Sequence, residues 1–262
     1  MAELTPLDLT HQAMQSAPDD VEARLKYFER LADSELFLLL TEEAKDDRVS
    51  PELFEVADAQ FVLVFDREER LSEFVGKPAP YAALSGRVIA SMLAGQGIGM
   101  ALNPEVAPSS NIIGPEAVVW LSDTVAAAPQ QMQAQISTVL PPSAPATLIS
   151  ALAEKLATAM GLAQAAYLVG VEYDTGVRGH VLGVVDALPD AQGAIAKAVN
   201  EALTFSGLEA AALDVTFIQS GQPIAATMAR HGLRFDLPQP QAPIETIPKA
   251  PGSDPDKPPN LR

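Results

Sequence analysis

The chain has 262 residues, of which 17 are Lys or Arg and 34 are Asp or Glu, so its formal net charge at neutral pH is −17. This charge disfavours nucleic acid and anionic lipid as partners, because both need clustered basic residues. Hydrophobic residues make up 48% of the chain and charged residues 19%, which is the composition of a folded globular protein. At roughly 150 residues per domain, the length predicts two domains.

The first 124 residues are predicted to form a mixed α/β domain. Residues 5–8, Thr-Pro-Leu-Asp, have the spacing of a capped helix start, and Asp19-Asp20 precede a second helix with a single apolar stripe. Residues 36–40 and 61–65 are continuous apolar runs, which are typical of strands covered on both faces. The further elements expected are a helix at 66–76, a strand at 80–84, a helix at 87–94, strands at 98–102 and 110–113, and a helix from Pro115 through Leu121.

Residues 125–145 are rich in Ala, Gln and Pro and form the predicted linker. Within it, Met132, Ile136 and Val139 recur at roughly helical spacing, so we expect a short helix that Pro141-Pro142 closes.

The second predicted domain, residues 146–237, has apolar patterns in the order α-β-β-α-β-α. Its two first strands, 166–173 and 177–185, are expected to form a hairpin around Asp-Thr-Gly. Residues 238–262 hold eight prolines in 25 residues, and this composition predicts a disordered tail. The predicted fold class is α+β: two small mixed α/β domains, each a short sheet with packed helices, followed by the proline-rich tail.

The chain contains no cysteine, which excludes disulfides, zinc–thiolate sites, iron–sulfur clusters and a cysteine nucleophile. The N-terminal residues have neither the basic nor the apolar region of a signal peptide, and no apolar stretch approaches the ~20 residues of a membrane-spanning helix. We therefore expect a cytoplasmic protein without a membrane span.

No catalytic motif is present. The glycines at 95, 97 and 99 follow a predicted helix and precede a strand, whereas a dinucleotide fingerprint needs the reverse order and a glycine where Met100 stands. His11, His180 and His231 lack metal-ligand spacing, and the carboxylate pairs lie in polar surroundings. The sequence thus predicts a non-enzyme with no catalytic, metal or cofactor residues. Trp120, on an apolar helix stripe, is expected to anchor the core or a domain interface.

Two groups of polar residues are candidate binding surfaces. In the first, Arg87 could anchor a carboxylate, either of a small anionic ligand or of an acidic protein partner. This loop surface comprises Ser85, Gly86, Arg87, Gln96, Gly97, Asn103, Ser109 and Ser110. The second is a polar patch of Arg178, His180 and Asp186 on a strand. The competing interpretation is that the first group caps helices and closes turns, and that His180 simply faces solvent.

Three segments carry a resemblance to a known family. They are residues 80–87 (PYAALSGR), 93–104 (LAGQGIGMALNP) and 107–118 (APSSNIIGPEAV). Read in this order, they resemble the N-terminal domain of the SseB family, which is named for enhanced serine sensitivity. The second half, around residues 165–168, 180–185 and 213–217, is more weakly similar to that family's C-terminal domain.

The resemblance covers roughly residues 22–235 and implies a bacterial cytoplasmic accessory protein with no established chemistry. An enzyme or sensor of amino-acid metabolism, with Arg178, His180 and Asp186 as its polar groups, is the first alternative. A type III secretion factor that shares the family's label is the second, but the long apolar segments of a pore-forming translocator are missing. The sequence leaves the ligand or protein partner and a homo-oligomeric state open.

Overall fold

The computed structural model of the chain describes residues 3–44, 49–56, 59–127, 136–207 and 213–240. The predicted tail lies outside these residues from 241 onward. We call residues 3–127 the N-terminal half and residues 136–240 the C-terminal half.

The N-terminal half contains five helices and six strands in its described residues. The helices are α1 (Pro6–Ser16), α2 (Val21–Asp33), α3 (Glu68–Val75), α4 (Gly86–Leu93) and α5 (Pro115–Ala126). The strands are β1 (Glu35–Leu39), β2 (Leu53–Val56), β3 (Ala59–Phe65), β4 (Tyr81–Ser85), β5 (Ile98–Leu102) and β6 (Asn111–Ile113).

These strands form one mixed sheet in the order β4-β1-β3-β5-β6, with β2 added to β3. The strand pair β3/β5 is parallel and the other pairs are antiparallel. One core cluster, with α2, α4 and α5, covers one face, and a smaller cluster that includes Leu71 and Phe65 covers the other. The prediction that β1 and β3 are covered on both faces is therefore confirmed.

The predicted capping residues at the starts of α1 and α2 are confirmed. Thr5 and Asp8 form the capping box of α1, and the Asp20 carboxylate accepts the backbone N–H groups of Glu22 and Ala23 at the start of α2. Strand β2 was not predicted. Three of its four residues, Leu53, Phe54 and Val56, are apolar although exposed, but four residues interrupted by Glu55 form neither a strict alternation nor a continuous apolar run.

The C-terminal half contains five strands and three α-helices in its described residues. The strands are β7 (Ile136–Leu140), β8 (Ala165–Tyr173), β9 (Arg178–Val185), β10 (Leu213–Ile218) and β11 (Leu233–Asp236). The helices are α6 (Ala146–Ala157), α7 (Gln192–Phe205) and α8 (Pro223–His231). The sheet order is β10-β9-β8-β11, with β7 paired to β8, and the predicted hairpin is the pair β8/β9.

The predicted linker helix is wrong where the structure describes it. Residues 136–140 form β7, an antiparallel partner of β8, because sheet pairing overrides the approximate helical spacing of Ile136 and Val139. At its other end the predicted linker is also shortened, since α5 continues to Ala126. The order α-β-β-α-β-α holds between 146 and 231, but β11 adds a further strand beside β8.

The structure confirms the α+β class, with two mixed sheets and eight α-helices among the described residues. Among the helices in these parts of the chain, none is both long and apolar enough to span a membrane.

A buried polar clasp holds α1 against the sheet of the N-terminal half. The guanidinium of Arg70 donates to both oxygens of Asp8 at 3.0 and 2.5 Å and to Asp66 at 2.7 Å. The Ser109 hydroxyl donates to Asp8 at 2.5 Å, and the Asn103 amide donates to Ser109 at 2.8 Å. Burial alone would raise the pKa of Asp8, but the hydrogen bonds from Arg70, Ser109 and Thr5 hold it far below its usual range.

The clasp predicts an acid-sensitive contribution to stability. Replacing Asp8 by Asn should lower the free energy of unfolding at pH 7 by about 3 kcal/mol, because it breaks a buried ion pair. A depressed carboxyl pKa stabilises the fold above the ordinary value and loses that effect as the pH falls. Denaturant unfolding should therefore show the difference from wild type shrinking between roughly pH 5 and pH 2. The exposed Glu22→Gln is the control, and a difference independent of pH would contradict the assignment.

Candidate functional site

The two halves meet through helices, and an aromatic contact lies at one side of the junction. Trp120 of α5 packs edge-to-face on Phe28 of α2, with ring centroids 5.3 Å apart, and on Phe205 of α7, at 6.2 Å. Phe205 is 2% exposed and belongs to the core cluster of the N-terminal half. The predicted role of Trp120 as an interface anchor is therefore confirmed.

A cluster of charged side chains lies beside this contact and joins the same helices. The ammonium of Lys155 in α6 contacts Asp33 at 2.5 Å, Glu29 at 3.3 Å and Glu201 at 3.4 Å. The guanidinium of Arg87 grips both oxygens of Glu201, at 3.0 and 3.2 Å, and also pairs with Asp33. Since Glu29, Asp33 and Arg87 belong to one half and Lys155 and Glu201 to the other, the cluster bridges the halves.

Burial gives these contacts their strength. The side chains of Lys155 and Glu201 are 8% and 2% exposed, so little water screens the charges. Burial lowers the pKa of Lys155, but the hydrogen bond and charge of Asp33, with the charges of Glu29 and Glu201, outweigh it and raise the pKa above its ordinary value. The ammonium therefore stays protonated at neutral pH.

The cations of the cluster do not neutralise Asp33 and Glu29 to the same degree. Burial would raise the pKa of Asp33, yet its hydrogen bonds and charge interactions with Lys155 and Arg87 lower it. For Glu29, burial dominates and raises the pKa, because its cationic partner, Lys155, is shared with two other carboxylates. Of these two acids, Glu29 is thus the less well neutralised.

A cavity of about 460 Å³ opens at this cluster. Its rim carries exposed ion pairs of Glu154 with Lys26, at 3.1 Å, and with Arg30, at 3.7 Å. Thr158, Lys197 and Ser85 contribute further polar groups to the wall. The full lining is Lys26, Glu29, Arg30, Asp33, Ser85, Arg87, Glu154, Lys155, Thr158, Ala194, Lys197, Ala198 and Glu201.

The structure splits the predicted loop surface into three places. Ser85 and Arg87, at the start of α4, line the cavity. Gln96 and Gly97 precede β5, which runs in the same direction as β4, and therefore lie at the opposite end of the strands from Ser85. Ser110 is exposed in the loop between β5 and β6.

Three members of that predicted surface, Gly86, Asn103 and Ser109, are buried. Asn103 and Ser109 are fully buried and belong to the clasp, where the Oδ1 atom of Asn103 accepts the backbone N–H of Asp66 and the Ser109 hydroxyl donates to the Asp8 carboxylate. This placement corrects the prediction that they lie on a binding surface. It follows from the cost of burying a carboxylate or a backbone N–H without a hydrogen-bond partner. Gly86, the first residue of α4, is buried for a different reason. A Cβ added to it would lie 1.9 Å from the carbonyl oxygen of Leu31, so α4 can approach α2 this closely only with glycine at this position.

The second predicted patch is also divided. His180 lies beside Ser143, whose backbone N–H points to its Nε2 atom at 3.3 Å, while Arg178 pairs with Glu172 at 3.0 Å. Asp186 follows the other end of β9, where it accepts the backbone N–H of Ser220. Six residues of strand, about 20 Å, separate Asp186 from His180, so the three side chains do not form one patch.

Sequence reasoning missed the residues that matter most in the cleft, namely Lys155 and Glu201. A signal was present, because Lys155 stands seven residues after Leu148, on the buried stripe of α6. A charged residue on such a stripe needs a buried partner. Within the described residues, no group of three or more acidic or histidine side chains is arranged to hold a metal ion, and the carboxylates here surround an ammonium instead.

The buried cluster predicts a large difference between two lysines of the same cavity. Lys155→Met should lower the free energy of unfolding by about 3 kcal/mol, because it leaves three carboxylates with one fewer cation in a desolvated site. Lys26→Met is the matched control, since its pair with Glu154 is nearly half exposed on both sides, and it should cost less than about 1 kcal/mol. Equal effects of the two changes in denaturant unfolding would contradict the cluster's structural role.

Comparison with known proteins identifies the N-terminal half. Residues 11–120 match the family model of the SseB protein N-terminal domain. This range runs from α1 to Trp120 and includes the whole first sheet as well as Arg87, Glu29 and Asp33. No curated protein and no solved structure gives a significant match. The chain therefore contains a segment that matches the SseB protein N-terminal domain, while the similarity of the C-terminal half to that family's second domain stays a prediction.

Proposed function

We propose that this chain is a non-enzymatic accessory protein of the cytoplasm that binds a small anionic ligand in the cleft between its halves. The observation that carries the proposal is the cavity itself, about 460 Å³ in volume and lined by ionised side chains from both halves. Pockets for small molecules have volumes of roughly 300–1,000 Å³ and lie preferentially at domain interfaces.

The charge of the lining supports an anion. Five basic and four acidic side chains face the cavity, whereas the whole chain has twice as many acidic as basic residues. The deep cations, Arg87 and Lys155, are held by the chain's own carboxylates, so an incoming anion meets Lys26, Arg30 and Lys197 at the rim. Exchange of the rim pairs with Glu154 for pairs with the ligand costs little, because those pairs are solvated.

The non-catalytic part of the proposal rests on the chemistry of the same wall. Among the described residues that line the cavity there is no His or Cys to act as a base or nucleophile. Lys155 is the buried amine, and its raised pKa keeps it protonated and therefore not nucleophilic. The four carboxylates of the wall are held in ion pairs, which suits binding.

The test is retention and titration of small anions by the full chain. Small molecules extracted from the purified protein are identified by mass spectrometry, and thermal midpoints are measured against inorganic phosphate and citrate. The proposal predicts an anion that is retained by wild type or raises its midpoint. It predicts that Arg30→Ala combined with Lys197→Ala weakens this effect at least tenfold, a loss of about 1.4 kcal/mol in binding free energy.

Arg178→Ala is the control, because Arg178 is also an exposed, singly paired arginine but lies outside the cavity. It should leave anion binding unchanged. If neither retention nor any midpoint shift is seen, or if the rim variant binds as well as wild type, the cleft is not an anion site and the proposal fails.

A further inference from the structure

A second cavity, of about 380 Å³, lies on the other side of α2 and differs from the first in character. Its wall is apolar apart from one arginine and consists of Arg24, Leu25, Phe28, Ala117 and Trp120. At 100° per residue, positions 24, 25 and 28 lie on a different face of α2 from positions 26, 29, 30 and 33 of the charged cleft. We call this cavity the aromatic groove.

Trp120 gives the aromatic groove the properties of a proline-binding surface. Its ring is 38% exposed, although it packs on Phe28 and Phe205. Among the described residues, its indole N–H has no hydrogen-bond acceptor, so it is available to a carbonyl of a bound chain. Flat aromatic walls with a donor at one edge are the surfaces on which extended proline-rich segments dock.

The chain itself contains a segment with the matching pattern. Residues 247–251, Ile-Pro-Lys-Ala-Pro, have a proline at every third position from Pro248. Such spacing favours the polyproline II conformation, which has three residues per turn. In that conformation Ile247 and Ala250 share one face, Pro248 and Pro251 share the adjacent face, and Lys249 occupies the third. The segment is therefore amphipathic, with two apolar faces for a groove and one charged face for solvent.

The last described residues lie close enough to the aromatic groove for this segment to reach it. Pro238 accepts the backbone N–H of Gly161, and the neighbouring Leu162 accepts that of Leu188, just before α7 begins. The end of the described chain thus lies near the first turn of α7, and Phe205, at the last turn, contacts Trp120. The 14 residues of α7 span about 21 Å.

We infer that residues 247–251 of this chain dock in the aromatic groove of the same molecule. They begin seven residues beyond Pro240, which corresponds to about 22 Å of polyproline II chain. The prolines contact Trp120 and Phe28, and Arg24 lies beside the acidic Asp254 that follows the segment. Docking places the tail on the N-terminal half, at the face of α2 and α5 where Trp120 meets Phe205 of the C-terminal half.

The only tryptophan of the chain is in the groove, which makes docking directly measurable. The experiment compares the fluorescence maximum, acrylamide quenching and single indole ¹H–¹⁵N resonance of the full-length protein with those of Ile247→Ser/Pro248→Ala. The inference predicts a red-shifted emission, stronger quenching and a displaced indole resonance in the variant. Because the contact is intramolecular, the wild-type signals should not depend on protein concentration.

Pro243→Ala/Ile244→Ser is the matched control, since it makes the same two kinds of change too close to Pro240 to reach the groove. It should behave as wild type. Identical signals in all three proteins, or equal effects of both double substitutions, would overturn the inference. Concentration-dependent signals would assign the groove to the tail of a second copy and would also overturn it. All substitutions lie outside the packed halves, so folding is not at issue.

Discussion

The buried ammonium of Lys155 forms ion pairs with carboxylates from both halves of this protein. Lys155 is placed by the apolar stripe of α6 where water cannot solvate it, so its charge must be met by carboxylates. Three carboxylates form ion pairs with it. Two of them lie on α2, and the third, Glu201, also pairs with Arg87. Removing Lys155 would take away the cation that Glu29, Asp33 and Glu201 share, and this sharing couples the position of α6 and α7 to that of α2 and α4.

The aromatic contact and the ion cluster stabilise the junction between the halves in different ways. Trp120, Phe28 and Phe205 provide apolar area without strict geometry, whereas Arg87 and Lys155 demand particular partners at particular distances. Both features use α2, and this helix lies inside residues 11–120, the segment that matches the SseB protein N-terminal domain.

Much of the fold could be predicted from local signals, because the chain obeys them. The capping box at Thr5 and the continuous apolar runs of β1 and β3 gave elements that the structure confirms. β7 was predicted as part of a helix because three apolar residues at intermediate spacing cannot distinguish the two periods. β2 was missed because its four residues, Leu-Phe-Glu-Val, are too few to show a strand period.

The site was harder to predict, for a physical reason. Arg87 was singled out as an anchor for a carboxylate, and the carboxylates it holds in the structure belong to Asp33 and Glu201, which are 54 and 114 residues away. Such long-range pairing leaves no spacing in the sequence. Asn103 and Ser109 looked like surface polar residues, yet the buried Asp8 requires them, and that requirement is visible only once α1 is seen packed on the sheet.

The central claim, that charges across the junction hold the halves together, is tested most directly by a double-mutant cycle. Arg87→Met, Glu201→Gln and the combined variant are compared with wild type by denaturant unfolding. Residues in direct contact within a network should show a coupling energy of at least about 1 kcal/mol, so the double variant should be less destabilised than the sum of the single variants. Simple additivity within about 0.3 kcal/mol would mean that the two side chains do not interact across the junction, and the account would be contradicted.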